Sequence, residues 1–277
     1  IFKKKKIILI KMENLKIFCV TNKVINFMEP KNYTIGWVGR EKPPKNYLTC
    51  NTHDNIFFKE KYYSELTFHY WYWKNKLNLN DKNWIGFCQK RRFWIKKESK
   101  EEIIIKHNFS DHILQKVPTE WNGFGSIICE PIFVNKVKKM KMIKRGFKSI
   151  IKNPLIFFDE KKQSLAFHFD MHHGNGNLSK AINLINDEDR LDFFNYVNKS
   201  ISYNPHIMFI AKPIVINKWF NTLFPWLARC EKVFGFDSLH GYDTQRLYAF
   251  LAERYLSFWF KKHTKSLNWP WTFFEDK

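Results

Sequence analysis

The chain has 277 residues, 44% of them hydrophobic and 18% aromatic, which excludes a disordered chain and leaves room for one large core. Its formal charge of +21 favours anionic partners: nucleic acid, acidic lipid or phosphorylated small molecules. Five cysteines with no CxxC pair point to a reducing compartment rather than a disulfide framework or zinc site, and no apolar run reaches the ~18 residues of a membrane span.

Residues 1–11, "IFKKKKIILIK", precede Met12 and read as an upstream extension; residues 12–277 read as a single domain. "LKIFCVTNK" (Leu15 to Lys23) reads as a first strand leaving into a polar loop. A strand this early suits a Rossmann-like sheet, whose ligands sit beyond the carboxyl ends of the strands. "YTIGWVG" is a second strand, and Pro43-Pro44 mark the loop after it. Ser64 is expected to cap the next helix, with Glu65 in its first turn and Leu66, Tyr70 and Trp73 along one face. "WIGFC" then reads as a buried parallel strand, and strand–helix–strand order argues for α/β.

Residues 95–125 carry no clear pattern, and "FGSIICEPIFV" is a further strand. "NKVKKMKMIKRGFK" holds seven Lys/Arg and reads as a basic surface helix or loop that can meet anionic lipid. "FHFDMHHG" reads as a strand or polar turn, followed by a glycine-rich turn and a helix from Ser179. Asp187 to Asp189 ("DED") read as exposed loop. "NPHIMFIAKPIVI" reads as one or two strands interrupted at Lys212-Pro213, and "KWFNTLFPWLARCEKVF" as a helix kinked at Pro225. Tyr242 to about Lys262 is the last long element, with Leu247, Phe250, Leu251, Tyr255 and Phe258 on one face and Arg246 and Glu253 at its edge.

Several residues carry candidate chemistry. Arg91 and Arg92, at the end of "WIGFCQKRRFW", can donate charge-assisted hydrogen bonds to phosphate; the plainer alternative is one arginine in solvent and one paired. Asp54 and Asn55 put a carboxylate and an amide in one loop, where an Asx-turn is the plainer reading. Asp170 with His172 suits acid–base chemistry, beside His168 and His173, but adjacent histidines on a strand cannot share a metal. His206 enters a strand, as a core or a functional histidine. Walker A, GxGxxG, GxSxG, HExxH, zinc-finger, RNP and clear Asp-x-Asp patterns are all missing from the sequence.

Two stretches in order, "DNIFFKEKYYSELTFHYWYWKN" and "WIGFCQKRRFW", resemble the domain of unknown function 4422, found in capsular-polysaccharide and lipopolysaccharide glycosyltransferases. "HIMFI" and "YAFLAERYL" extend the likeness, which covers most of Leu15 to about Phe260. The family's His-Tyr before the arginines is Gln89-Lys90 here, and its Asn ahead of Met-Phe-Ile gives way to His206.

The resemblance implies a GT-A-like, mostly parallel sheet flanked by helices. It further implies hexosyl-type transfer from a nucleotide sugar, such as a UDP-sugar, to a growing glycan or lipid-linked glycan. On that basis Thr21, Asn22, Lys23, Asn55, Arg91 and Arg92 are expected to bind the donor. The acid–base carboxylate is sought in Asp54, then Glu65, then Asp170. His206, Arg246, Glu253 and Arg254 are assigned to the acceptor or to structure. The leaving diphosphate needs Mg, Mn or fixed cations; with no Asp-x-Asp, Lys90-Arg91-Arg92 fit the cation option and no metal ligand is assigned. The expected setting is the cytoplasmic side of an anionic membrane. The rival classes are a glycan-binding relative without turnover and a nucleic-acid binder; dispersed charge and no recognition module disfavour nucleic acid.

Overall fold

In the computed structural model, which describes residues 14–27 and 32–275, the first strand β1 (Leu15–Thr21) is buried at every position but one. The segment read as an upstream extension lies outside the described residues. β1 is covered on both faces, which is why it reads as an apolar run: Phe18 and Val20 enter one core, Ile17 and Cys19 the other. β2 (Tyr33–Trp37) and a two-residue β3 (Leu48–Thr49) follow, then the short helix α1 (Glu60–Tyr63) and α2 (Leu66–Asn75). β4 (Trp84–Gln89) returns to the sheet beside β1, and β5 (Arg92–Trp94) folds back against it.

After α3 (Phe109–His112) come β6 (Ser126–Cys129) and β7 (Ile132–Phe133), then five helices: α4 (Lys139–Lys152), α5 (Leu155–Phe158), α6 (Leu165–His173), α7 (Asn177–Ile182) and α8 (Asp187–Lys199). β8 (Ser202–Tyr203) pairs with β7, and β9 (Phe209–Ala211) joins the main sheet. The chain closes with α9 (Pro213–Phe234), α10 (Gly241–Gln245), α11 (Leu247–His263), β10 (Ser266–Trp269) and β11 (Trp271–Phe273).

The main sheet runs β10-β6-β9-β4-β1-β2-β3, with the β5–β11 ribbon attached off β4. It is mostly parallel: only β9, between β4 and β6, runs against its neighbours on that path. Close packing at the centre depends on Gly86, where a Cβ would meet Ile210 Cγ1 of β9 at 2.8 Å. The larger core lies between the sheet and α2, α9 and α11, while the other face is filled by Trp94, Phe109, Trp121 and Trp269. The fold is thus α/β, a central mostly parallel sheet flanked by helices.

Several local expectations change. Ser64 does not cap α2; it ends α1 in the left-handed region at φ 51°, and Glu65 takes the N-cap position. "FHFDMHH" is the helix α6, begun by the Ser164 hydroxyl, which accepts from Phe167 N. Its alternating burial mimics a strand because the helix has two covered faces: Phe167 and Met171 meet α4, Leu165 and Phe169 the main core. "PIVI" opens α9 instead of continuing a strand, since Pro213 at the first helical position lacks only a donor that would go unused. "DED" begins α8, and Asp189 is buried, accepting from Tyr255 Oη at 2.6 Å. The last long element breaks at Arg246 into α10 and α11, and the segment beyond it supplies two strands the sequence pattern did not mark. All five cysteines are buried and free.

Candidate active site

The carboxyl ends of β1 and β4 open into a cavity of about 570 Å³, a size that suits a small-molecule ligand. At the β1 exit the Thr21 hydroxyl donates to the Lys23 carbonyl at 2.6 Å and accepts from Lys23 N. That tight turn leaves Asn22 at the cavity, where its Oδ1 accepts from Lys90 Nζ at 2.7 Å, and leaves Lys23 exposed. The β4 exit is a two-residue hairpin: Gln89 pairs with Arg92, and Lys90-Arg91 form the turn, Arg91 at φ 72°. The charged end of "WIGFCQKRRFW" is therefore a tip folded over the cavity. The Arg91 carbonyl accepts from Phe274 N, and both guanidinium groups lie near the Phe273 ring.

Behind the hairpin, five side chains interlock. Gln89 Nε2 donates to the His206 carbonyl at 2.7 Å, and Arg92 Nε donates to His206 Nε2 at 3.2 Å. Glu253 Oε1 accepts from His206 N at 2.6 Å, while its Oε2 accepts from Arg254 Nη1 at 2.7 Å. His206 and Ile207 both have positive φ, 77° and 51°, a strained pair that these bonds hold in place. Burial, reinforced by Arg92, pushes the His206 imidazole down to about 3, so it is a neutral acceptor at pH 7. Arg254 is 1% exposed and lies 3.7 Å over the Tyr203 ring. The buried Nε groups of Arg91 and Arg254 have no partner among the described residues, the kind of unmet donor that a ligand anion satisfies.

The other walls come from helices. α6 brings His168, His172 and His173, pushed by burial to about 2, 4 and 3 respectively. Lys141 of α4 faces them, and Arg145 ties α4 to α10 through Asp243 at 2.9 Å. Glu60, Ser64 and Glu65 line the side formed by the α1–α2 junction, across from Arg246. The Glu65 carboxylate has no hydrogen-bond or ion-pair partner among the described residues. Burial raises the Glu60 carboxyl above the usual range despite Arg246 and Arg40 nearby.

The cavity gathers Thr21, Asn22, Glu65, Arg91, Arg92, His206, Arg246, Glu253 and Arg254 from the sequence-derived set. Four others lie outside its lining: Lys23, Asp54, Asn55 and Asp170. Asp54 is exposed and accepts from Tyr70 Oη, and its carbonyl accepts from Asn75 Nδ2, which fastens the loop to α2. Asn55 closes an Asx-turn onto Phe57 N. Asp170 accepts from Ser149, Asn175 and Gly176 N, stabilising the turn after α6. Glu60, Lys141 and Asp243 line the cavity without having been singled out. Glu60 stands one α-helical turn and a junction before Glu65, a spacing with no motif to mark it.

Among the described residues, no group of three or more His, Cys, Asp or Glu is placed to hold a metal ion. The carboxylates that line the cavity, Glu60, Glu65, Asp243 and Glu253, form no such group.

The family described as domain of unknown function DUF4422 matches residues 16–265. The chain belongs to this family. No curated protein matches it. Among solved structures, that of the WbbM bifunctional glycosyltransferase in its apo form aligns over 95% of this chain with a TM-score of 0.73 and 18% identity. The chain spans 46% of that structure's length, and at such identity the likeness is one of fold. Within this DUF4422 chain, three of the stretches that carry the sequence resemblance meet at one place: "SELT" supplies Glu65, "KRRF" supplies Lys90 to Arg92, and "LAERY" supplies Glu253 and Arg254.

Proposed function

We propose that this DUF4422 protein is a glycosyltransferase of hexosyl type. It takes a nucleotide sugar, most simply a UDP-sugar, and extends a surface glycan or lipid-linked glycan in capsule, O-antigen or exopolysaccharide assembly. The observation that carries the reading is the convergence of Arg91, Arg92 and Lys90 with the unpartnered Glu65 carboxylate around one cavity at the strands' carboxyl edge. The glycosyltransferase fold of the WbbM neighbour supports it.

In this reading Asn22 and Val38 receive the nucleoside, and the hairpin cations receive the diphosphate. Glu65 takes the proton of the acceptor hydroxyl as its oxygen bonds to the anomeric carbon. The bond from that carbon to the diphosphate oxygen breaks, and the charge left there is met by Arg91, Arg92 and Lys90. The network of Gln89, His206 and Glu253 holds Arg92 and Arg254 in place. Five buried free thiols fit a reducing, cytoplasmic-side setting, and no helix among the described residues is long and apolar enough to cross a membrane.

A thermal-shift screen over uridine, guanosine and cytidine sugars tests the proposal. A bound donor at a hundred times its dissociation constant stabilises by about 2.7 kcal/mol. Arg91→Ala and Arg92→Ala should each abolish most of that shift; unchanged shifts remove the diphosphate role, and silence across all donors removes the whole reading. Hydrolysis of the responding donor by purified protein separates a transferase from a glycan-binding relative. Activity that disappears in chelator would transfer the diphosphate role from the arginines to a metal ion.

A further inference from the structure

The helix α4 buries one side, through Met142, Gly146 and Ser149, against α6. Its opposite side is also apolar. Met140, Ile143, Phe147 and Ile151 recur at i, i+3, i+7 and i+11, a single stripe, and all four are exposed. Leu155 and Phe158 of α5, next along the chain, are exposed as well, and the six side chains range from 47% to 78% exposed. Each residue of the α4 stripe is followed directly by a lysine: Lys141, Lys144, Lys148 and Lys152. One residue is about 100° of helix rotation, so the lysines form a basic border along one side of the stripe. α4 contains no acidic residue.

A stripe of exposed apolar residues needs a partner. Its lysine border specifies an anionic one, and the apolar stripe itself favours a lipid boundary over nucleic acid, whose backbone offers no apolar layer. We propose that the α4–α5 face docks on the surface of an anionic lipid bilayer, with Met140, Ile143, Phe147, Ile151, Leu155 and Phe158 below the headgroups and the lysines among them. Lys141 borders the stripe and also lines the cavity, and Arg145 binds α4 to the cavity-wall residue Asp243. Docking by this face therefore sets the cavity mouth at the lipid boundary, where a lipid-linked substrate presents its polar end. The docking itself is independent of the sugar-transfer reading, because none of the stripe residues lines the cavity.

The test is flotation of the full chain with vesicles of phosphatidylcholine, with and without phosphatidylglycerol. The chain should float with the anionic vesicles and release in high salt. Lys144→Glu with Lys148→Glu should weaken binding by more than about twentyfold, given roughly fivefold per lysine near a charged surface. Phe147→Ser with Ile151→Ser should abolish flotation while leaving the melting temperature and any nucleotide-sugar shift unchanged. Three results overturn the proposal: equal binding to neutral vesicles, binding unaffected by either pair, or no flotation at all. A concentration-dependent dimer dissolved by Phe147→Ser with Ile151→Ser would also overturn it, assigning the stripe to a second copy of the chain.

Discussion

Under the proposed function, Glu65 carries chemistry and Glu253 carries architecture. Among the described residues the Glu65 carboxylate borders the cavity without a hydrogen-bond or ion-pair partner, whereas Glu253 is consumed by His206 N and Arg254. Glu65→Gln should therefore lower kcat by ~10²–10⁴ while the donor still gives its thermal shift. Glu253→Gln should instead weaken donor binding and stability together, because it loosens the strained His206-Ile207 backbone and Arg254. Steady-state kinetics beside melting curves distinguish the two; equal effects on kcat alone would remove the assignment. The place of Arg91 and Arg92 at the cavity edge was legible because charge stands directly against the apolar run of β4, whereas Glu65 was reached only through the family resemblance. Asp54 and Asp170 looked equally apt, but both are occupied outside the cavity: Asp54 fastens its loop to Tyr70 and Asn75 of α2, and Asp170 holds the turn after α6 and Ser149 of α4. Glu60 and Lys141 could not be read, since only tertiary packing brings α1 and α4 to the same cavity.

The elements show the same division between local and distant causes. Strands β1, β2 and β4 are apolar runs bounded by polar turns, and they lie where the pattern puts them. α6 misleads because two covered faces give a helix an alternating pattern, and β10 and β11, at four and three residues, are too short to signal pairing with β6 and β5. The seat of α4 depends on Gly146, where a Cβ would stand 2.8 Å from the Phe167 ring and 3.2 Å from Met171 Cγ. Gly146→Ala gains intrinsic helix propensity, about 0.8–1.0 kcal/mol. The clash forces α4 away from α6 and costs roughly 1–3 kcal/mol, so the net effect is destabilising by up to about 2 kcal/mol. Chemical denaturation measures it, and a stabilised variant would mean that α4 is not seated as described.

Across the whole molecule, histidines buried neutral set the response to acid. His69, His168, His172, His173 and His206 are all pushed down, chiefly by burial, to values of about 3, 2, 4, 3 and 3. In the unfolded chain each takes up a proton near pH 6.5. Between there and the lowered folded values the unfolded state binds more protons, so stability rises with pH and is lost as pH falls below about 6.5. His69 isolates the effect, being 2% exposed among Phe87, Phe209 and Phe220, with no partner for Nδ1 among the described residues. A histidine that titrates only when unfolded costs about 2 kcal/mol at pH 5 relative to neutrality. His69→Phe removes that term, and at pH 7 it also removes an unsatisfied buried group costing about 1–3 kcal/mol. The variant should therefore melt higher than the natural protein at pH 7, with the gap widening by about 2 kcal/mol as pH falls to ~5. Parallel melting curves over that range would show that His69 takes up its proton in the folded state and that the acid response resides in the cavity histidines.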